Sequence, residues 1–158
     1  MESDPLMNAK LKRLISPYYL APFLVLLMII FHFVFPIRII LVFPLTLIGL
    51  APLIVGLFIN LHATRTLTNR TTFDSNGQNP KNLVTEAFFQ YSQNPMYLGG
   101  VVLGFGLATL LGSLVSFVFP TIFFLLLQFV FIPQEEAQLK AMFGKEYLDY
   151  MKCVRKWI

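Results

Sequence analysis

Three long stretches of this chain carry no Asp, Glu, Lys or Arg, and they restrict its fold more than any other feature. Arg13 and Arg38 bracket 24 such residues, Arg38 and Arg65 bracket 26, and Glu86 and Glu135 bracket 48. A hydrocarbon layer about 30 Å thick takes roughly 20 helical residues to cross. The first two stretches therefore fit one span each, and the third fits two spans joined by a tight turn. The expected fold is all-α and integral to a membrane: a single membrane domain over residues 1–158, with four transmembrane helices near 19–35, 39–61, 97–111 and 115–132. Only 13% of the 158 residues are charged and 56% are hydrophobic, so the chain is too short to wrap four such helices in a polar layer. The same apolarity excludes disorder. Gly112-Ser113 marks the turn in the third stretch and leaves the third span short or tilted. Pro44, Gly49, Pro52 and Gly56 interrupt the second span, and a kink is expected near Pro52.

Charge then sets orientation. Four spans place the N-terminus, the second loop and the C-terminus on one side. Lys10, Lys12, Arg13, Arg65, Arg70, Lys81, Lys140, Lys145, Lys152, Arg155 and Lys156 all fall there, 11 of the 12 basic residues, with Arg38 alone opposite. The positive-inside rule makes that side cytoplasmic, so both termini of a multi-pass protein are expected in the cytoplasm. The net charge of +4 is thereby read as topology, and no nucleic-acid partner is expected. The first apolar stretch is long and lacks a small-x-small cleavage site, so it reads as a retained span. Asn69-Arg70-Thr71 matches a glycosylation sequon but falls on the cytoplasmic side, where it stays unused. Cys153 is the single cysteine, which excludes an intramolecular disulfide and a multi-cysteine metal site. His32 has no second His or carboxylate in the spans, so no metal is expected. Its simplest state is neutral, bonded to a backbone carbonyl.

The polar chemistry is confined to a loop over 63–94 and a tail after residue 133. The loop has a turn-rich run, Asp74 to Pro80, and leads into Tyr91-Ser92-Gln93-Asn94-Pro95-Met96-Tyr97-Leu98-Gly99-Gly100. Pro95 suits the first turn of the third helix, with Asn94 as its cap. In the tail, Leu139, Met142, Phe143, Tyr147, Tyr150, Met151 and Val154 recur at three and four residues, which predicts an amphipathic helix over 134–154 on the cytoplasmic surface. Gly144 weakens its middle. Glu135 and Glu136 suit a helix start, where the dipole favours carboxylates. Beside the Asn94–Tyr97 segment they also suit a cationic ligand. Gly100, Gly104, Ala108 and Gly112 place a small residue at every fourth position of the third helix, which favours close packing over a ligand groove. Asn60 and His62 end the second span, either lining a site or anchoring at the interface.

Leu83-Val84-Thr85, Asn94-Pro95-Met96-Tyr97-Leu98-Gly99, Glu135-Glu136, Leu139, Phe143-Gly144, Glu146-Tyr147, Tyr150, Val154 and Arg155-Lys156-Trp157-Ile158 together resemble the small integral-membrane methyltransferases. That group includes isoprenylcysteine carboxyl methyltransferase and phosphatidylethanolamine N-methyltransferase. The resemblance covers residues 80–158. It implies S-adenosyl-L-methionine as cofactor, with Lys81, Asn82, Leu83, Val84, Phe89, Asn94, Pro95, Met96, Tyr97, Glu135 and Glu136 as its contacts. It also implies a lipophilic or lipid-linked acceptor from the bilayer, expected to arrive between the third and fourth spans. Glu86 is a candidate general base by location alone.

The departures from the family pattern favour a phospholipid-type amine as acceptor. Gln93 and Phe131 stand where the isoprenylcysteine branch has arginines, and Ala87-Phe88-Phe89-Gln90 replaces a Gly-Pro-Phe-Arg of many bacterial relatives. The phospholipid branch has Asn-Pro-Met-Tyr, as here, but its Gly-x-Gly motif has no counterpart before Asn94; Gly104-Phe105-Gly106 is in the wrong place. Three alternatives stay open: an isoprenylcysteine-type carboxyl methyltransferase, a membrane reductase using a nicotinamide cofactor, and a non-catalytic membrane adaptor. For the reductase the loop offers only Arg65, Arg70 and Lys81 to a pyrophosphate. Nothing in the sequence sets an oligomeric state.

Overall fold

A computed structural model describes residues 17–35, 39–72 and 80–158. Lys10, Lys12, Arg13, Arg38 and the turn-rich run over 74–79 lie outside the described residues. The elements are α1 (Pro17–Val34), a 3-10 turn (Leu45–Gly49) leading into α2 (Leu50–Arg70), a second 3-10 turn (Ala87–Gln90), α3 (Pro95–Leu111), α4 (Leu114–Leu126), a π-helical turn (Leu127–Phe131), α5 (Ile132–Phe143) and α6 (Lys145–Cys153). Among the described residues there is no strand, only an isolated bridge between Ile39 and Ser113. The all-α class follows from the uncharged stretches.

Among the described residues, two helices are long and apolar enough to cross a membrane: Leu45–Arg70, 26 residues, and Leu114–Phe143, 30 residues. Tyr19–Val34 and Pro95–Leu111 are shorter apolar helices. Phe23, Leu26, Ile54, Phe58 and Phe129 all point outward, each more than half exposed. A surface of that kind suits lipid better than water.

The helix limits differ from the sequence expectation in two places. The regular part of α2 starts only at Leu50, so Pro52 sits in its first turn, where a missing N–H breaks no intrahelical bond. The break therefore lies before the helix, not as a kink within it. At the other end α2 continues past residue 61 to Arg70, because the polar run Thr64–Arg70 contains no breaker. The expected amphipathic helix over 134–154 is in two parts. Its first part, α5, continues the α4 rod without interruption. The second, α6, begins after Gly144, which adopts φ 50°.

Glycines fix how the helices meet. A Cβ on Gly56 would stand 2.4 Å from the Leu103 nitrogen, and one on Gly99 would stand 2.7 Å from the Asn60 nitrogen. Gly106 and Gly49 are equally tight, at 2.4 Å from the Leu53 nitrogen and 2.5 Å from the Gly106 oxygen. So α2 and α3 lie backbone against backbone. The stripe singled out in the sequence faces α4 instead, with Gly100 and Gly104 at 3.5 and 3.1 Å from Phe123 and Pro120 by the same measure. These contacts agree with the packing reading of that stripe.

Beyond the stripe, Gly112 ends α3 at φ 72°, a conformation that suits glycine, and its carbonyl accepts from the Ile40 and Leu41 N–H groups at 2.8 and 3.1 Å. Next to it, His32 Nδ1 meets Ser113 Oγ at 2.9 Å, and Ser113 Oγ meets Ser116 Oγ at 2.7 Å. His32 is thus satisfied by a side chain, not by the backbone carbonyl expected for it. Leu24 and Met28 of α1, Val101 and Ala108 of α3, and Phe119, Phe123, Leu127, Phe131 and Ile132 of the α4 rod form the main core.

The two glycine faces predict opposite outcomes. Gly56→Ala sets a methyl against backbone that cannot yield, an overpacking cost of about 1–3 kcal/mol. Gly100→Ala meets only an ordinary side-chain contact and gains helix propensity of up to about 1 kcal/mol. Thermal unfolding of the two variants in one detergent should show the first well below wild type and the second at or above it.

Candidate active site

A cavity of about 510 Å³ lies where the end of α2, the segment after residue 80, the start of α3 and helices α5 and α6 converge. Its size falls within the roughly 300–1,000 Å³ of small-molecule sites. The walls are built by local ties. Asn60, one turn beyond the Gly56 contact, donates from Nδ2 to the Met96 carbonyl at 2.9 Å and fixes the start of α3. Asn82 fastens the incoming segment to the end of α2: its Oδ1 accepts from Thr72 N–H and Oγ1, both at 2.7 Å, and its Nδ2 donates to the Arg70 carbonyl at 2.8 Å. Val84 and Phe89 are buried with Ala63, and Leu67 and Met96 pack on them.

Across the cavity, the Tyr97 hydroxyl donates to the Glu135 carboxylate, joining α3 to α5. Glu135 lies past Ile132, where the apolar stretch ends. Burial raises its carboxyl above the ordinary range, and the bond from Tyr97 offsets part of that rise. Two tyrosines of α6 complete the wall. Burial, with the charges of Glu136 and Glu135, pushes the Tyr147 hydroxyl up to about 12. Burial and Tyr147 raise Tyr150 as well. Both are neutral donors at physiological pH, and Tyr150 Oη donates to the Phe89 carbonyl at 2.6 Å.

An extended strap after α6 holds two residues of the wall, Gln93 and Asn94. The Gln93 N–H donates to the Arg155 carbonyl at 3.0 Å, and its side-chain Nε2 donates to the Val154 carbonyl. Asn94 Nδ2 donates to the Lys156 carbonyl at 3.1 Å. Trp157 Nε1 donates to Gln128 Oε1 at 2.7 Å, with its ring 5.1 Å from that of Phe124. Among the described residues, the cavity lining holds one carboxylate, Glu135, together with Phe89, Tyr97, Phe143, Tyr147 and Tyr150, and it includes no Lys, Arg or His. Such a lining attracts cations through a single negative charge and aromatic faces.

A family profile described as phospholipid methyltransferase matches residues 45–146, more than half of the chain and nearly every wall of this cavity. The chain belongs to the phospholipid methyltransferase family. Consistent with the two long apolar helices, this family member is an integral membrane protein. Among solved structures, it is similar to a eukaryotic intramembrane Ras methyltransferase, isoprenylcysteine carboxyl methyltransferase, at TM-score 0.65 and 23% identity. The likeness covers 91% of this chain and 53% of that one, so the chain spans about half the length of that neighbour. At this identity the likeness speaks for the fold. No curated protein matches in sequence.

Of the residues singled out in this family member's sequence, Asn82, Leu83, Val84, Phe89, Asn94, Pro95, Met96, Tyr97 and Glu135 line the cavity. Three do not. Lys81 is exposed, with its backbone N–H bonded to the Thr72 carbonyl at 2.7 Å. Glu136 pairs with Lys156 at 2.7 Å. Glu86, the candidate base, is more than half exposed outside the cavity and pairs with Arg70 at 3.2 Å. Nor is Asn94 a side-chain cap of α3: its amide is turned to the strap, while Pro95 takes the first helical turn as expected. Phe131 is buried in the main core, not in the cavity wall. The sequence reading missed Leu67, Thr68 and Thr71, because it ended the helix too early, and it read Tyr147 and Tyr150 only as apolar positions of a surface helix.

The Tyr150 bond is the tie from α6 to the 3-10 turn. Tyr150→Phe leaves the Phe89 carbonyl without that donor, a loss of about 0.5–1.5 kcal/mol. The expected outcome is a lowered melting temperature with the helical circular-dichroism spectrum retained.

Proposed function

We propose that the chain is an S-adenosyl-L-methionine-dependent methyltransferase that acts at the cytoplasmic membrane face on a lipophilic amine acceptor of phospholipid type. One observation carries this reading. The Asn94–Tyr97 segment and Glu135, 38 residues apart along the chain from Tyr97, meet in a single cavity whose lining is rich in aromatic residues and, among the described residues, carries one carboxylate and no cation. S-adenosyl-L-methionine brings a sulfonium and an ammonium, and this donor set fits both. Glu135 would pair with the ammonium, Asn94 would accept from a polar edge, and the tyrosine faces would lie toward positive charge. When bound, the cofactor supplies a methyl group on a leaving thioether that needs no protonation. The work left to the chain is to hold, orient and exclude water.

The same lining bears on the alternatives. A carboxylate acceptor wants a bidentate arginine, and none lies in the wall among the described residues; Phe131 does not reach it. A nicotinamide cofactor carries a pyrophosphate, for which the described residues of the lining offer no cation. A decayed adaptor has no evident reason to keep a cationic-ligand cavity with a buried carboxyl in it.

In this proposal α1, α2 with its leading turn, α3 and α4 are the four spans, and the cavity faces the cytoplasm with both termini. Reporter fusions at the two ends should both read cytoplasmic. A C-terminus on the opposite side would remove the cavity from the cytoplasmic face and overturn this topology.

Glu135→Gln tests the chemistry. Loss of a charge-assisted partner costs about 1.5–3 kcal/mol, roughly ten- to a hundred-fold in affinity. Titration of S-adenosyl-L-methionine should show that loss, with thermal stability changed far less. The raised carboxyl adds a pH signature. A cation prefers the ionised carboxylate, so wild-type affinity should climb as pH rises through the raised range of Glu135, and the variant should show no such climb. Equal affinity of the two proteins across pH would leave Glu135 as a helix-start residue only.

A further inference from the structure

The second glutamate of the pair does a different job from the first. Glu136 Oε1 lies 2.7 Å from Lys156 Nζ, and the two side chains are only 13% and 33% exposed. The Lys156 carbonyl in turn accepts from Asn94 Nδ2 at 3.1 Å and, at the longer distance of 3.4 Å, from Ser92 Oγ. One residue therefore connects Glu136 to the cavity wall: its ammonium is held by the carboxylate, and its carbonyl holds the Asn94 amide. With Nδ2 so engaged the amide cannot flip without losing its partner, and Oδ1 is the atom left for a ligand. Gln93 is bound to the same strap twice, and Trp157 pins the far end to Gln128.

We propose that Lys156 is a positioning residue for cofactor binding. Its ion pair with Glu136 sets the strap over 154–157, and the strap sets the orientation of Asn94 and Gln93. This inference rests on the methyltransferase reading above. Lys140 provides an internal control. It also approaches Glu136, at 3.7 Å, but from one turn along the same helix and not from the strap.

The test is titration of S-adenosyl-L-methionine into the purified full chain and its variants, each with thermal unfolding alongside. Lys156→Met should weaken binding about tenfold, the scale of one charge-assisted contact. Lys156→Arg should restore most of it, and Lys140→Met should bind as wild type. Trp157→Phe leaves the ion pair in place but frees the strap from Gln128, and it too should weaken binding; it decides the matter if Lys156→Met does not fold. A merely structural ion pair would lower the melting temperature and leave affinity alone. The proposal is overturned if Lys156→Met binds as wild type, if Lys140→Met weakens binding equally, or if Lys156→Arg is no better than Lys156→Met. A wild-type chain that does not bind overturns the methyltransferase reading and this inference with it.

Discussion

Where α2 and α3 cross at Gly56 and Gly99, main chain rests on main chain, because a methyl group at either position would collide with backbone nitrogen or oxygen. The rest of the site is hung from that contact. One turn further along α2, Asn60 reaches the Met96 carbonyl, which only so close an approach permits. Asn82 then fastens the next chain segment to the end of the same helix, so that Val84 and Phe89 drop onto Ala63. Without hydrophobic driving force inside a bilayer, van der Waals contact and short hydrogen bonds carry such associations. Glycine spacing in the spans therefore reaches the chemistry outside them.

The other half of the site is delivered by one rod. Helix α4 does not end at Leu126 but passes through a π-helical turn at Leu127–Phe131 and continues as α5. Pro133 explains why the wide turn sits there. It has no N–H for the Phe129 carbonyl, and its ring crowds the preceding turn, so the helix widens just ahead of it. Ile132-Pro133 reads in sequence as the start of a new segment, whereas the rod absorbs it and carries Glu135 directly across from Tyr97.

How much of this was legible depends on the kind of signal. Uncharged stretches are a bulk property, and they come close to the limits of α1 and α3 but not to those of α2. The Asn94–Tyr97 and Glu135 segments were legible as a pair only through the family resemblance, and they do meet. What was not legible is what leaves no side-chain signature. The strap binds Gln93 and Asn94 through the carbonyls of Val154, Arg155 and Lys156, and any sequence supplies carbonyls. The Gly99–Gly106 face was hidden by the more regular Gly100–Gly104 stripe beside it. Thr68 was assigned to a loop because the apolar stretch ends before it, yet nothing between Thr64 and Arg70 actively ends a helix.

The adjacency of the two glutamates is itself a structural requirement. Successive residues on an α-helix point about 100° apart, at 3.6 residues per turn. On α5 that angle separates a face turned to the cavity from a face turned to the strap. Glu135 takes the first and meets Tyr97; Glu136 takes the second and meets Lys156. A pair spaced by three or four residues would put both carboxylates on one face, where their like charges would repel and the strap would have no anchor. Two neighbouring acids, which a helix dipole alone would account for, thus divide between the cavity wall and the chain segment that holds the Asn94 amide.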